Sequence, residues 1–246
     1  VGGSLMPASP ALPASPPDKR RYVRAMFEAV APSYDLLNRV LSLNVDRAWR
    51  RTAIARLGWE ARPDGVYLDA CAGTLDLARS LARLPGFKGR VVATDFALPM
   101  LRVGRAKLDG ERVHSAAADT LELPIADGTF DGALVGFGVR NLADLPAGLA
   151  ELARVLRPGA RLVILDFATP RAPLIRALYL LYFRRVLPVV GRLVSGHPTA
   201  YTYLPESVMK FPDPETLTRA LAQAGLRDVG FQLQTFGIVA ISWGVK

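Results

Sequence analysis

The chain has 246 residues, half of them hydrophobic, with mean hydropathy +0.20 and a formal net charge of +9. That length accommodates one large α/β domain with a sizeable core, and a single cysteine excludes an internal disulfide, in keeping with a cytoplasmic chain. The positive charge suits an anionic partner, but the basic residues are dispersed and no RNA-recognition signature occurs, so nucleic acid ranks below an acidic substrate or an anionic lipid surface.

Residues 1–17, "VGGSLMPASPALPASPP", hold few large apolar side chains and read as a disordered tail, with no leader-like basic segment and apolar core. From 18 to 58 apolar residues recur at three-four spacing, which predicts helices, with Asp46 as an N-cap and Gly58 as a C-cap. Strand-like and helical runs then alternate. "GVYLDACA" precedes a helix beginning near Leu75, "GRVVATDFA" precedes "PMLRVGRAKL", and "VHSAAAD" precedes a polar link. "FDGALVGFGV", the helix "LPAGLAELARVLRPG" and "ARLVILDFA" follow. This pattern predicts a Rossmann-like, doubly wound α/β fold with a mostly parallel sheet, in a single domain from 18 to 246.

After Thr169 the alternation stops. The apolar stretch at 171–194 is broken by Arg176, Arg184, Arg185 and Pro188, short of the about 18 uncharged residues of a membrane span. It opens a predicted substrate-side insertion at 171–210. The chain ends in "DVGFQLQTF" and "GIVAISWGVK", an expected antiparallel pair closing the sheet edge around Gly237.

The segment "YLDACAGTLDLA" is an apolar strand ending in Asp69, a turn of small residues, and a helix start. Small residues admit a ligand to the backbone, and a helix start presents free N–H groups. Asp95 ends the second strand where an α/β nucleotide site keeps its ribose ligand. A dinucleotide turn needs G-x-G-x-x-G, whereas this turn has only Gly73, and Asp69 and Asp76 would repel a pyrophosphate. S-adenosyl-L-methionine, with its sulfonium and ammonium, fits that charge better; a strand-turn-helix without a ligand is the plain alternative. Asp119 either contacts adenine or caps the turn before "TLELP". Cys71 reads as a small buried residue.

Three stretches, "MFEAVAPSYDLLNRVLSLNVDRAWR", "LPIADGTFDGALVGFGVRNLADLPAGLAELARVLRPGARLVILDFATP" and "YTYLPESVMKFPDPETLTRALAQAGL" with "GIVAISWGVK", carry a resemblance. They are similar to the ubiquinone/menaquinone biosynthesis C-methyltransferases, within the class I S-adenosylmethionine-dependent methyltransferases, over 22–246. The F-G-x-R-N element is the specific part; "RVLRPGARLVILDF" is shared more widely. The resemblance implies that Thr74, Asp95, Asp119 and Thr120 join Asp69 and Gly73 around the cofactor, which leaves as S-adenosyl-L-homocysteine. It implies ring C-methylation of a reduced prenylated quinone precursor: demethylmenaquinol, with a ubiquinone-pathway quinol or another small aromatic as alternatives. Three departures stand out: Leu75 at a turn glycine, Gly136 where serine is common, and His197 where an acid is common. Leu75 is expected to narrow the cofactor entrance or to take right-handed helical angles. It also keeps open a non-catalytic cofactor-binding scaffold.

Ring methylation requires the electron-rich quinol, alignment of ring carbon with the methyl group, a stabiliser for phenolate charge and a proton acceptor. Arg140 suits the stabiliser and not the base, because it stays protonated; the other reading is a surface salt bridge to Asp144 or Asp131. Asn141 either anchors a ring hydroxyl or caps the following helix. Tyr34 and Asn38, four apart, share a helix face and are substrate-binding candidates, as is Tyr201, which alternates with Tyr203. His197 is expected to be exposed. The segment 171–194 is either an amphipathic cover or homodimer interface, or a surface that admits a prenyl tail while its arginines meet anionic lipid at the inner membrane face.

Overall fold

The computed structural model describes residues 15–110, 112–186 and 198–246. The strands are β1 (Val66–Ala70), β2 (Arg90–Asp95), β3 (Val113–Ala117), β4 (Phe130–Gly136), β5 (Leu156–Phe167), β6 (Arg227–Gln234) and β7 (Val239–Val245). They form one sheet in the order β3-β2-β1-β4-β5-β7-β6, and β7 alone runs antiparallel to its neighbours. The central strands are apolar on both faces: Leu134, Val163 and Leu165 face one layer, Ala133, Val135, Leu162 and Ile164 the other. Such strands pair in parallel and require helices over both faces.

Helices α1 (Pro16–Val30), α2 (Tyr34–Ser42) and α3 (Asp46–Leu57) precede the sheet. One face is covered by α3, α4 (Asp76–Ala82) and α5 (Leu98–Arg105), through Ile54, Leu57, Leu77, Leu81 and Leu101. The other is covered by α6 (Leu145–Arg154) through Leu149 and Leu152. Helix α7 (Pro173–Leu181) runs on into a π-helical turn over Tyr182–Val186, and α8 (Pro198–Lys210) follows the undescribed 187–197. Helix α9 (Pro214–Gln223) adds Leu217 and Leu221 to the second layer. No helix among the described residues is long and apolar enough to cross a membrane.

Three boundaries differ from expectation. Helix α1 starts at Pro16, because Ser15 Oγ accepts from Asp18 N (3.3 Å), two residues inside the expected tail. Asp46 is not the N-cap of α3: the cap is Val45, and the Asp46 carboxylate accepts from Ser42 Oγ (2.8 Å) and Arg50 Nε (3.3 Å). Gly58 does cap α3 in the left-handed region. The final antiparallel pair closes the edge with the last strand inside. β7 is nearly all buried and pairs on both sides, whereas the more polar β6 tolerates the edge. The chain reverses its winding between β1 and β4, and the carboxyl ends of those strands open the crevice that holds the site.

Candidate active site

The β1–α4 turn places Cys71 (φ 52), Gly73 (φ 51) and Leu75 (φ 66) in the left-handed region. Leu75 therefore takes neither expected course. Its backbone is left-handed and its side chain is fully buried, outside the cofactor crevice. Gly104 on α5 makes the room: a Cβ there would lie 2.4 Å from Leu75 Cγ and 2.8 Å from the Thr74 carbonyl carbon. The left-handed backbone costs about 1–2 kcal/mol, and burying the isobutyl group returns about the same.

A crevice opens beside this turn, walled by Gly73, Asp95, Asp119 and Thr120 with the apolar Phe96, Met100 and Leu142. Asp95 accepts from Gly73 N and Ala97 N (both 2.8 Å), tying the end of β2 to the turn. Burial pushes its carboxyl above the usual range, against those two bonds. Asp119 accepts from Leu121 N (2.8 Å) and pairs with Arg20 of α1 (2.5 Å). Thr120 Oγ1 lies 3.3 Å from Cys71 Sγ. Asp69 and Thr74 stand behind the turn instead. Thr74 Oγ1 donates to Asp35 of α2 (2.6 Å), and Asp69 Oδ2 accepts from Ala78 N (2.9 Å). Asp69 Oδ1 is buried without a hydrogen-bond partner, and burial pushes this carboxyl up to about 7.

On the far side, β4 ends in a 3-10 turn over Val139–Asn141. Gly136 and Gly138 expose backbone to the crevice, but the space beside them is filled. Cβ atoms there would lie 2.5 Å from Leu77 Cδ1 and 2.3 Å from Cys71 Cβ, so serine at 136 would require Leu77 to move. Arg140 is buried, and its partner is neither Asp144 nor Asp131. Its Nη1 donates to Asp166 Oδ1 (2.7 Å) and to the Phe137 carbonyl (2.6 Å), while its Nε is buried with no partner. Burial opposes the guanidinium charge, yet Asp166, together with Tyr34 and Tyr203, holds its pKa above the ordinary value. Asp144 caps α6 through Ala147 N (2.9 Å), the role allowed for Asn141, and Asp131 binds Val66 N, Arg62 and Arg157. Asn141 instead donates to the Phe137 carbonyl (3.2 Å) and accepts from Tyr203 Oη (3.1 Å).

Beyond Arg140 lies a larger cavity, walled by aromatic side chains including Trp49, Phe167, Tyr179, Phe183 and Tyr203. Tyr34 and Asn38, the substrate-binding candidates from the sequence, both line it. Phe27, Tyr34 and Phe137 border both spaces, so crevice and cavity meet at these three rings. Burial raises the phenol pKa of Tyr34 and pushes that of Tyr203 up to about 12, which keeps both neutral near pH 7. Tyr201 lies on α8, but its side chain, like His197, is outside the described residues; of the alternating pair, Tyr203 is the one described on the cavity wall.

Several residues of the site were missed from sequence. Asp166 was legible by the rule used for Asp69 and Asp95, as an acid ending a strand at the ligand edge in "VILDFA". Lys19, which donates to the carbonyls of Arg140 (3.3 Å) and Leu142 (2.5 Å), and Lys107, bridging Asp35 and Asp76 (both 2.7 Å), had no local signal.

The lining suits S-adenosylmethionine. Asp95 and Asp119 offer acceptors to ribose hydroxyls and an amino base, Phe96, Met100 and Leu142 offer apolar walls to a flat base, and the buried Asp69 Oδ1 behind the turn lacks a partner. A cofactor rich in phosphate would meet like charge.

Among solved structures, an S-adenosylmethionine-dependent methyltransferase from Thermotoga maritima superposes with TM-score 0.64 at 17% identity, covering 91% of this chain and 99% of that one. The [4+2]-cyclase SpnF gives 0.67 at 16%, covering 92% and 96%. At such identities the likeness concerns the fold alone, a class I methyltransferase fold that also serves a cyclase. Sequence relatives are nearer. A demethylmenaquinone methyltransferase of Thermus thermophilus is 48% identical over 89% of this chain and 99% of its own. A ubiquinone/menaquinone biosynthesis C-methyltransferase UbiE of Geobacter sulfurreducens is 43% identical over 93% and 90%. The model of the ubiE/COQ5 methyltransferase family matches residues 17–246. With nearly the whole described fold inside that match, the chain belongs to the ubiE/COQ5 methyltransferase family.

Proposed function

We propose that this enzyme transfers a methyl group from S-adenosylmethionine to a ring carbon of a reduced prenylated quinone precursor, demethylmenaquinol. One observation carries the reading: a buried, charged Arg140, with an unpartnered Nε, lies on the wall of an aromatic cavity that meets the acidic crevice at Tyr34 and Phe137. The relatives named above support the substrate class.

Asp95, Asp119 and Gly73 would hold the cofactor's ribose and base end, with Asp69 behind the turn supplying negative charge near its ammonium. When bound, the cofactor supplies an electrophilic methyl group. The chain's residues make the ring nucleophilic and aim it. Arg140 donates toward a ring oxygen and stabilises its phenolate form, so a hydroxyl that ordinarily ionises near 10 loses its proton more readily. Asp166 fixes the guanidinium plane, and the Phe137 carbonyl takes its second bond. Held charged by Asp166, Arg140 is not the base; the proton leaving the ring carbon goes to water or a carboxylate. Asn141, locked by Tyr203 and Phe137, orients the opposite ring hydroxyl. The aromatic walls exclude water and accept the tail.

The test is incubation of purified protein with methyl-labelled cofactor and reduced, short-tailed demethylmenaquinone, beside a ubiquinone-pathway quinol. Label in the first quinol alone is expected. Label only in the second would move the substrate to the ubiquinone pathway, and cofactor binding without transfer to either would leave a scaffold.

A further inference from the structure

Around the mouth of the aromatic cavity, large apolar side chains face water. Helix α2 and its C-cap expose Leu36, Val40 and Leu43, and α7 exposes Leu174, Leu178 and Leu181. Each set follows a spacing of three or four, so each is a continuous apolar stripe, with no described element packed over it. The stripes are tied together at the cavity. Tyr182, just past α7, donates its hydroxyl to the Leu41 carbonyl of α2 (2.9 Å), and Leu41, Leu43, Tyr179 and Tyr182 all line the cavity.

The β6–β7 turn adds Phe236, which is 79% exposed and sits between the cavity-lining residues Thr235 and Ile238. Its backbone is left-handed (φ 56), a conformation that bulky side chains avoid. Trp49 Nε1 donates to Thr235 Oγ1 (2.7 Å) and anchors the turn. An aromatic ring on a strained residue, facing water, adds nothing to the core.

Charge selects the occupant. Across 36–51 and 171–186, every exposed charged side chain among the described ones is basic, including Arg39, Arg47, Arg51, Arg176 and Arg185. The acid in these segments, Asp46, is buried and paired with Arg50. A second copy of this chain would set like charges face to face and seal the cavity. An anionic lipid surface complements both features.

We propose that the stripes of α2 and α7, with Phe236, seat this enzyme on an anionic bilayer. The apolar side chains enter the acyl boundary, the arginines meet the headgroups, and a prenyl tail passes from lipid into the cavity without crossing water. This rests on the reading of the cavity as a prenylated-quinol site.

The full chain is sedimented with phosphatidylcholine vesicles and with vesicles containing phosphatidylglycerol. Binding to the anionic vesicles alone is expected, falling as salt rises, since each basic residue near such a surface is worth roughly fivefold in affinity. The double variant Leu178→Ser/Phe236→Asn, whose positions do not line the cavity, should bind vesicles roughly tenfold or more weakly. It should keep its cofactor affinity, its melting temperature (or a higher one) and its turnover of a short-tailed quinol in solution, while losing turnover of a long-tailed quinol held in vesicles. Equal sedimentation of variant and parent, or none by either, overturns the proposal. So does a dimer that the variant dissolves, which would make the face a contact between copies. Vesicle binding with no methylation of the soluble quinol would support the docking face and reject the substrate reading instead.

Discussion

Arg140 and Asp166 show how burial turns a basic residue into an electrostatic tool. Alone at the surface, an arginine beside an acid contributes little; buried, neither charge tolerates the loss of the other. Arg140→Ala should therefore lower turnover about 100- to 1000-fold while leaving cofactor affinity near the parent value, as isothermal calorimetry would show. Arg140→Lys keeps a charge for Asp166 but loses the planar fork, and should still cost at least about tenfold in turnover. Equal loss of turnover and cofactor affinity would make Arg140 a purely structural residue. Asp69 illustrates the opposite cost. Its carboxyl titrates near 7 when folded and near 4 when unfolded, so the folded state holds the proton longer. Its contribution to stability is full below about pH 4 and is lost as pH rises to about 7. Asp69→Asn should flatten that slope and exceed the parent's stability at pH 8 by roughly 2–4 kcal/mol, measured by denaturant unfolding at pH 4 and pH 8. A parent more stable than the variant at pH 8 would refute the assignment. The same variant should bind cofactor less well, because a neutral amide replaces the carboxylate near its ammonium.

At the scale of elements, the β1–α4 turn and α5 are built as a pair. Leu75 accepts a left-handed backbone because Gly104 leaves a hole for its side chain. Gly104→Ala should cost about 1–3 kcal/mol by overpacking, read as a lowered denaturation midpoint. Adding Leu75→Gly should recover only part of it, since the Thr74 backbone still lies 2.8 Å from the new methyl. Full recovery would mean that the Leu75 side chain alone sets the spacing. This pairing was not legible in the sequence. Leu75 was visible as a departure, but its direction depends on α5, which begins 23 residues later. The turn, the strand-ending acids Asp69 and Asp95, and the Arg140–Asn141 turn after β4 were legible, because each follows from local chemistry at the end of an apolar strand. Asp46 was read as a helix cap and Asn141 as a cap or a ring-hydroxyl anchor; Arg50, one turn along the same helix, claims Asp46, and the tertiary partner Tyr203 claims Asn141.

Over the whole molecule, α1 lies across both spaces: Arg20 pairs with Asp119 in the crevice, Lys19 holds the carbonyls of Arg140 and Leu142, and Phe27 borders crevice and cavity alike. Replacing Lys19 and Arg20 together by alanine should weaken cofactor binding roughly three- to tenfold, within the worth of two partly exposed contacts. The melting temperature without cofactor should change little; unchanged affinity in a calorimetric titration would show that α1 does not retain the cofactor. The sequence by itself determined the layered α/β architecture and the strand ends that carry the chemistry, because hydrophobic period and turn residues act over a few positions. It also carried the family, through motifs that survive as strings. Only the tertiary structure decided the pairings. Lys19 with Leu142, Trp49 with Thr235 and Asn141 with Tyr203 lie 123, 186 and 62 residues apart. Such contacts exist only once the sheet has closed in the order β3-β2-β1-β4-β5-β7-β6, which brings distant strand ends and helices to one edge.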